Sequence, residues 1–157
     1  MTILNRRTLL LSGASLGLVA ALPLSAEERP QIHVAKDPGC DCCGAWVDHL
    51  SAEGFAVTVE ELGAVELAKY KLDHGIPQDM TSCHTGKVHD YMIEGHVPAA
   101  DIRRLLAERP DAIGLAVPGM PYGSPGMGPE DEREAYEVFL IRRDGATEVF
   151  SRYEPVG

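Results

Sequence analysis

The segment "GCDCCG" places Cys40, Cys42 and Cys43 within four positions, and the remaining cysteine, Cys83, stands beside His84 in "SCHT". Sulfur concentrated in this way can close structural disulfides, run a dithiol–disulfide couple or hold a soft metal ion. Structural bridging is the weakest of the three. A disulfide needs alpha carbons roughly 4.4 to 6.8 Å apart and a near-perpendicular torsion, so adjacent Cys42 and Cys43 bridge only with strain. A Cys40–Cys43 bridge is feasible, and one from Cys83 to the cluster is possible, but loops this short gain little from closure.

A thiol-disulfide oxidoreductase would use the Cys-x-x-Cys formed by Cys40 and Cys43, one sulfur attacking and the other resolving. It would leave Cys42 and Cys83 as competing, off-pathway partners. A metal site employs all four sulfurs. Soft ligands select Cu(I), Zn(II) or an iron–sulfur cluster. Zinc is ordinarily held by Cys-x-x-Cys pairs in a tetrahedron, whereas Cys-x-Cys-Cys suits bridging thiolates and more than one ion. Met120 and Met127, in the Pro/Gly-rich run "AVPGMPYGSPGMGPE", turn the choice toward copper, because thioether sulfur binds copper far better than zinc. His84 is the leading imidazole ligand and His96 the second. His33, His49, His74 and His89 read as surface or packing residues, Met80 and Met92 as structural, and Trp46 as core.

These side chains need a scaffold. "QIHVAK" alternates like a strand, Asp37-Pro38-Gly39 is a turn, and Trp46, Val47 and Leu50 recur at helical spacing from Cys43 to Glu53, with Gly54 as terminator. "FAVTVEEL" reads as a second strand. A helix from Ala64 to His74, with Val65, Ala68 and Leu72 on one face, stops at Gly75 and Pro77. "TGKVHDYMIEGH" gives two strands joined near His89-Asp90, and Pro98 opens a helix carrying Ile102, Leu105 and Leu106 that Pro110 ends. After the loop from Val117 to Pro129, "YEVFLIRRDGATEVFSRYE" is a hairpin about Asp144-Gly145, and the acidic "PEDEREAYE" is a solvated turn or helix end. The expected fold is α/β and thioredoxin-like (β-α-β-α-β-β-α) with an appended Pro/Gly/Met loop and C-terminal β-hairpin. In that order the first strand delivers Cys40 to a helix start, where thiolate is favoured over thiol, and the loop before the hairpin, here Cys83-His84, faces it. Thioredoxin-like enzymes carry a proline in that loop to shape a peptide groove; "SCHT" has none.

The 157 residues suffice for one ordinary core, and neither a polar tract nor a repeat divides them. The formal charge of −10 argues against binding nucleic acid or an anionic membrane and for a cation as partner. Arg6 and Arg7 precede an apolar run from Leu9 to Leu22 that is too short for a comfortable membrane span. Residues 1–26 therefore read as a twin-arginine signal peptide cleaved after Ala26, leaving residues 27–157 as a single exported metal-binding domain. Removing Arg6 and Arg7 takes the basic count from 14 to 12 against 24 acidic residues, a formal −12. The expected location is the periplasm, with no stable membrane association after cleavage.

Four segments together, "GCDCCGAWVDHL", "SCHTGKV", "EGHVPAADIRRLL" and "GLAVPGMPYGSPGMG", resemble the CopG family of periplasmic copper-resistance proteins, long catalogued as a domain of unknown function. The resemblance runs from Ile32 to about Phe139. It implies a thioredoxin-like fold, a multinuclear copper cluster bridged by the cysteines, and a part in Cu(I)/Cu(II) interconversion under copper stress. Position by position it marks Cys40, Cys42, Cys43, Cys83, His84, His96, Met120 and Met127 as metal ligands. Asp41 stands where the family usually has a small residue, and His89-Asp90 where glycines are common.

The sequence thus leads to an exported copper-binding protein that acts in copper resistance by sequestration or by redox interconversion as a copper oxidoreductase. A copper chaperone or an electron donor or acceptor is its expected partner. The alternatives are a periplasmic thiol-disulfide oxidoreductase using Cys40 and Cys43, and a Zn(II)-binding protein.

Overall fold

A computed structural model describes residues 29–156; the signal-peptide reading of residues 1–26 lies outside the described residues. The elements run β1 (Gln31–Lys36), α1 (Asp41–Ala52), β2 (Ala56–Glu61), α2 (Ala64–Asp73), β3 (His84–Val88), β4 (Tyr91–Glu94), α3 (Ala99–Glu108), β5 (Ala112–Ala116), β6 (Tyr136–Arg142) and β7 (Thr147–Tyr153). Single 3-10 turns lie at Gln78–Met80 and Glu130–Glu132. All seven strands form one sheet in the order β2-β1-β3-β4-β5-β6-β7. The fold is α/β. No helix among the described residues is long and apolar enough to cross a membrane.

β1 pairs parallel with β2 and antiparallel with β3, and β3 and β4 form a hairpin whose turn holds His89 in the left-handed region at φ 52°. β5, absent from the sequence-based order, runs parallel to β4 and carries the hairpin of β6 and β7 on its far side. The C-terminal hairpin therefore extends the same sheet. Ser151 and Tyr153 hydroxyls of β7 donate to the buried Asp101 carboxylate in the first turn of α3, and the Arg104 guanidinium lies 3.6 Å from the Phe150 ring centre.

The main core joins Ile32 and Val34 of β1, Trp46 and Leu50 of α1, Ile93 of β4, Ile102 and Leu105 of α3 and Leu115 of β5. Each such buried side chain contributes about 1.5–3 kcal/mol by leaving water. α2 corrects the sequence reading: its buried residues are Leu67 and Lys71, while Val65 and Leu72 are 78% and 74% exposed. The helix turns that way because Lys71 reaches a buried carboxylate, Glu94 of β4, at 2.5 Å.

Candidate metal centre

The turn Asp37-Pro38-Gly39 closes with the Asp37 carboxylate accepting from Gly39 N at 2.8 Å, and it sets Cys40 as the N-cap of α1. Cys42 and Cys43 follow in the first helical turn. Cys43 is fully buried, whereas Cys40 and Cys42 are half-buried and Asp41 points to water. Cys40 and Cys43 are joined by a disulfide with an S–S distance of 2.02 Å; Cys42 and Cys83 are free. While the bridge is closed, neither of its sulfurs is a thiolate that could hold a metal.

Cys83 lies at the centre. Its Sγ is 3.8 Å from Cys42 Sγ, 3.3 Å from His84 Nδ1 and 3.2 Å from His96 Nε2, and Cys42 Sγ lies 3.5 Å from Cys40 Sγ. Two sets of donor atoms, Cys40-Cys42-Cys43-Cys83 and Cys83-His84-His96, each fall within 4.8 Å of one another, and Cys83 belongs to both. Burial pushes the Cys83 thiol up to about 11, with Cys42 beside it adding to the rise and the Ser82 hydroxyl opposing it. A metal binding there must displace its proton.

Both histidines suspected from the sequence are fully buried against this sulfur. Desolvation holds each below its ordinary pKa, His84 well below, so both rings are neutral near pH 7. The Pro125 carbonyl lies 2.8 Å from His96 Nδ1 and can only accept. Nδ1 therefore carries the proton, and the Nε2 lone pair faces Cys83, the arrangement that orients ligating imidazoles in metal sites. His84 lies against the Trp46 ring at a tilt of 38° with centroids 4.3 Å apart; its Nδ1 faces Cys83, and its Nε2 is buried without a hydrogen-bond partner.

The Pro/Gly/Met loop is strapped over the cluster at three places. The Ser82 hydroxyl donates to the Gly119 carbonyl, Pro125 holds His96, and Gly126 lies against the start of α1. Gly126 has φ +84°, and a β-carbon there would fall 2.7 Å from Trp46 N and 3.1 Å from the Cys42 carbonyl, so only glycine lets the loop come this close. Met127, next in the chain, is half-buried; Met120 is 54% exposed. Met80 and Met92 are core residues. His33 pairs with Glu60 on the sheet surface, His74 bonds the Tyr70 carbonyl, His49 is half-buried on α1, and His89 is exposed in the β3–β4 turn.

Sequence reasoning missed the polar network beneath Cys83. Glu94, fully buried, accepts from Ser82 N at 2.6 Å, from Lys71 Nζ at 2.5 Å and from the Thr85 hydroxyl at 2.5 Å, while Lys71 also donates to Thr85 at 2.8 Å. Desolvation raises the Glu94 pKa, and Lys71 and the other donors oppose the rise. These bonds fix the Ser82 backbone before Cys83 and the Thr85 side chain after His84. The sequence signal was Lys71 one turn after Leu67, on a different helix face from the one that hydropathy picks out.

A family model described as "Protein of unknown function, DUF411" matches residues 80–127, from Met80 through the Cys83 loop to Met127. Nothing among curated proteins matches. Two solved structures do. One, "Copper resistance protein copG- Form 2", is 46% identical, with a TM-score of 0.74, covering 80% of this chain and 99% of that one. The other, "Copper resistance protein copG- Form 1", is 45% identical, with a TM-score of 0.76, covering 81% of this chain and 99% of that one. Identity of this order across nearly the whole of those chains carries the resemblance seen in the four sequence motifs, and the protein belongs to the copper resistance protein CopG family.

Proposed function

We propose that this is an exported copper-binding protein whose reduced cysteines, Cys40, Cys42, Cys43 and Cys83, hold a bridged copper cluster completed by His84, His96 and the loop methionines. The single observation that carries the reading is Cys83: one sulfur shared by a four-cysteine set and by a cysteine–histidine set. A thiolate common to two donor sets is suited to bridge metal ions, and sulfur with imidazole is a donor set copper accepts in both oxidation states. The protein's own residues orient His96 through Pro125 and hold the chain beside Cys83 through Glu94. Copper is sequestered, or changes oxidation state, in that protected site during copper stress. The strand order β2-β1-β3-β4, with the Cys-x-x-Cys opening α1, supports a thioredoxin-like core. The Arg6-Arg7 leader supports export to the periplasm, where a copper chaperone or electron carrier would meet the protein.

The test is anaerobic Cu(I) titration of the reduced protein with metal analysis. More than one copper per chain, held tightly and lost in Cys83→Ser, is expected; one loosely held ion would refute the cluster. The Cys40–Cys43 bridge favours a second reading, a thiol-disulfide oxidoreductase. That enzyme would reduce a model disulfide without Cys83 and without regard to a copper chelator.

A further inference from the structure

A cavity of about 700 Å³ opens beside the metal centre, lined on one side by Leu67, Ala68, Leu72 and Ile76 and at its end by Cys40 and Cys83. The copper reading does not use it. On the α2 side Ala64, Ala68 and Leu72 are uncovered, Leu72 being 74% exposed, with Leu67 and Ile76 buried behind them, while Asp37, Gln78 and Thr81 supply polar lining. The groove also leads to one end only of the disulfide, because Cys40 lines it and is half-buried, whereas Cys43 is 0% exposed and lies behind.

We propose that this groove docks an apolar segment of a protein dithiol, which reduces the Cys40–Cys43 bridge and so readies the site for copper. The inference rests on the copper reading, since its consequence is the release of two ligand sulfurs. In the first step the partner's thiolate bonds to Cys40 Sγ, the Cys40–Cys43 bond breaks, and its electron pair goes to Cys43 Sγ, which takes up a proton. In the second, the partner's other thiol loses its proton and attacks the partner sulfur of the mixed disulfide, expelling Cys40 as thiolate. Two electrons and one proton pass to this chain, which is left with a Cys43 thiol and a Cys40 thiolate, and the partner leaves as a disulfide.

Access selects the attacked sulfur, since exchange runs through whichever sulfur the nucleophile reaches. The groove's chemistry selects the partner. A small charged thiol such as glutathione brings carboxylates to a chain of net charge −10 and has nothing to bury on Ala64, Ala68 and Leu72. A polypeptide with apolar residues beside its dithiol gains from that wall.

The test follows reduction of the bridge in the copper-free protein by two short synthetic peptides sharing a Cys-Gly-Pro-Cys core, one flanked by leucines and one by glutamates, with dithiothreitol as reference. The leucine peptide should react about tenfold faster than the glutamate peptide at equal thiolate concentration, the ratio that 1.4 kcal/mol of binding gives. Leu72→Glu should abolish that preference and leave the dithiothreitol rate unchanged. Val65→Glu, on the same helix but outside the groove, should alter neither. A single-thiol form of the leucine peptide, offered to protein carrying Cys42→Ser and Cys83→Ser, should be trapped on Cys40. Equal rates for the two peptides on the wild type, full speed in Leu72→Glu, or an adduct on Cys43 would overturn the proposal. Should Leu72→Glu misfold by circular dichroism, the wild-type peptide comparison and the adduct position still decide. Failure of the copper reading is distinct: dithiothreitol-reduced protein would then take up no copper, whatever the peptides do.

Discussion

His96 presents its Nε2 to Cys83 Sγ at 3.2 Å because Pro125, on the loop strapped across the site, engages the other ring nitrogen. The nitrogen that faces Cys83 is thus chosen by a residue 29 positions further along the chain. His96→Ala should weaken Cu(I) binding, in competition with a chromophoric chelator, by more than the about 10–100-fold seen when a metal site loses only an orienting contact, because the donor itself is removed. His89→Ala, in the exposed β3–β4 turn, should leave binding unchanged.

Copper binding should depend steeply on pH, because burial keeps Cys83 protonated up to about 11. Every copper that takes this sulfur must expel its proton. Apparent affinity should rise about tenfold per pH unit for each proton displaced, and proton release in weakly buffered solution should accompany uptake at pH 7. Pre-ionised sulfur would show neither.

The Lys71–Glu94 pair should display the asymmetry of a buried ion pair. Glu94→Ala leaves the Lys71 ammonium buried and unpaired and frees Ser82 N, so a loss of about 3–5 kcal/mol in urea unfolding is expected. Lys71→Met combined with Glu94→Leu should recover most of it. In Glu94→Ala that remains folded, Cys83 should alkylate faster, because the Ser82 backbone beside it has lost its anchor.

His49 gives a pH dependence to folding. Desolvation lowers its folded pKa below 6.5, with Glu53 and Glu130 opposing the shift, so the fold prefers the neutral ring. The sign follows: stability is full above 6.5 and declines as pH falls through that value, because the unfolded chain then binds a proton the fold resists. His84 and His96 act in the same direction. His49→Gln should make the decline of urea-midpoint stability between pH 7 and 5 shallower.

Much of the centre was legible in the sequence because its sulfurs sit in two short segments. Cys40, Cys42 and Cys43 are placed by one turn and one helix start, both written locally in Asp37-Pro38-Gly39 and the helical spacing of Trp46, Val47 and Leu50. β5 was not legible. "AIGLA" is buried in mid-sheet and shows no clean alternation, and its Gly114 reads as a breaker. The glycine is needed there because a β-carbon would fall 1.7 Å from the Met92 carbonyl oxygen. The buried face of α2 was hidden for another reason. Hydropathy points to Val65 and Leu72, but Lys71 is drawn inward by Glu94, a partner 23 residues away whose position only the folded sheet supplies. The choice between His84 and His96 likewise depended on a loop closing in three dimensions, and both meet Cys83.

Cys42 separates a copper cluster from a dithiol couple most directly, since the Cys40–Cys43 bridge has no use for it while Cys83 lies 3.8 Å from its sulfur. The decisive measurement is an anaerobic Cu(I) titration of fully reduced protein against its Cys42→Ser variant, with copper counted per chain. Wild type should bind several coppers tightly, and the variant should lose at least one of them. Wild type that holds at most one loosely bound copper, or a variant indistinguishable from it, would contradict the cluster.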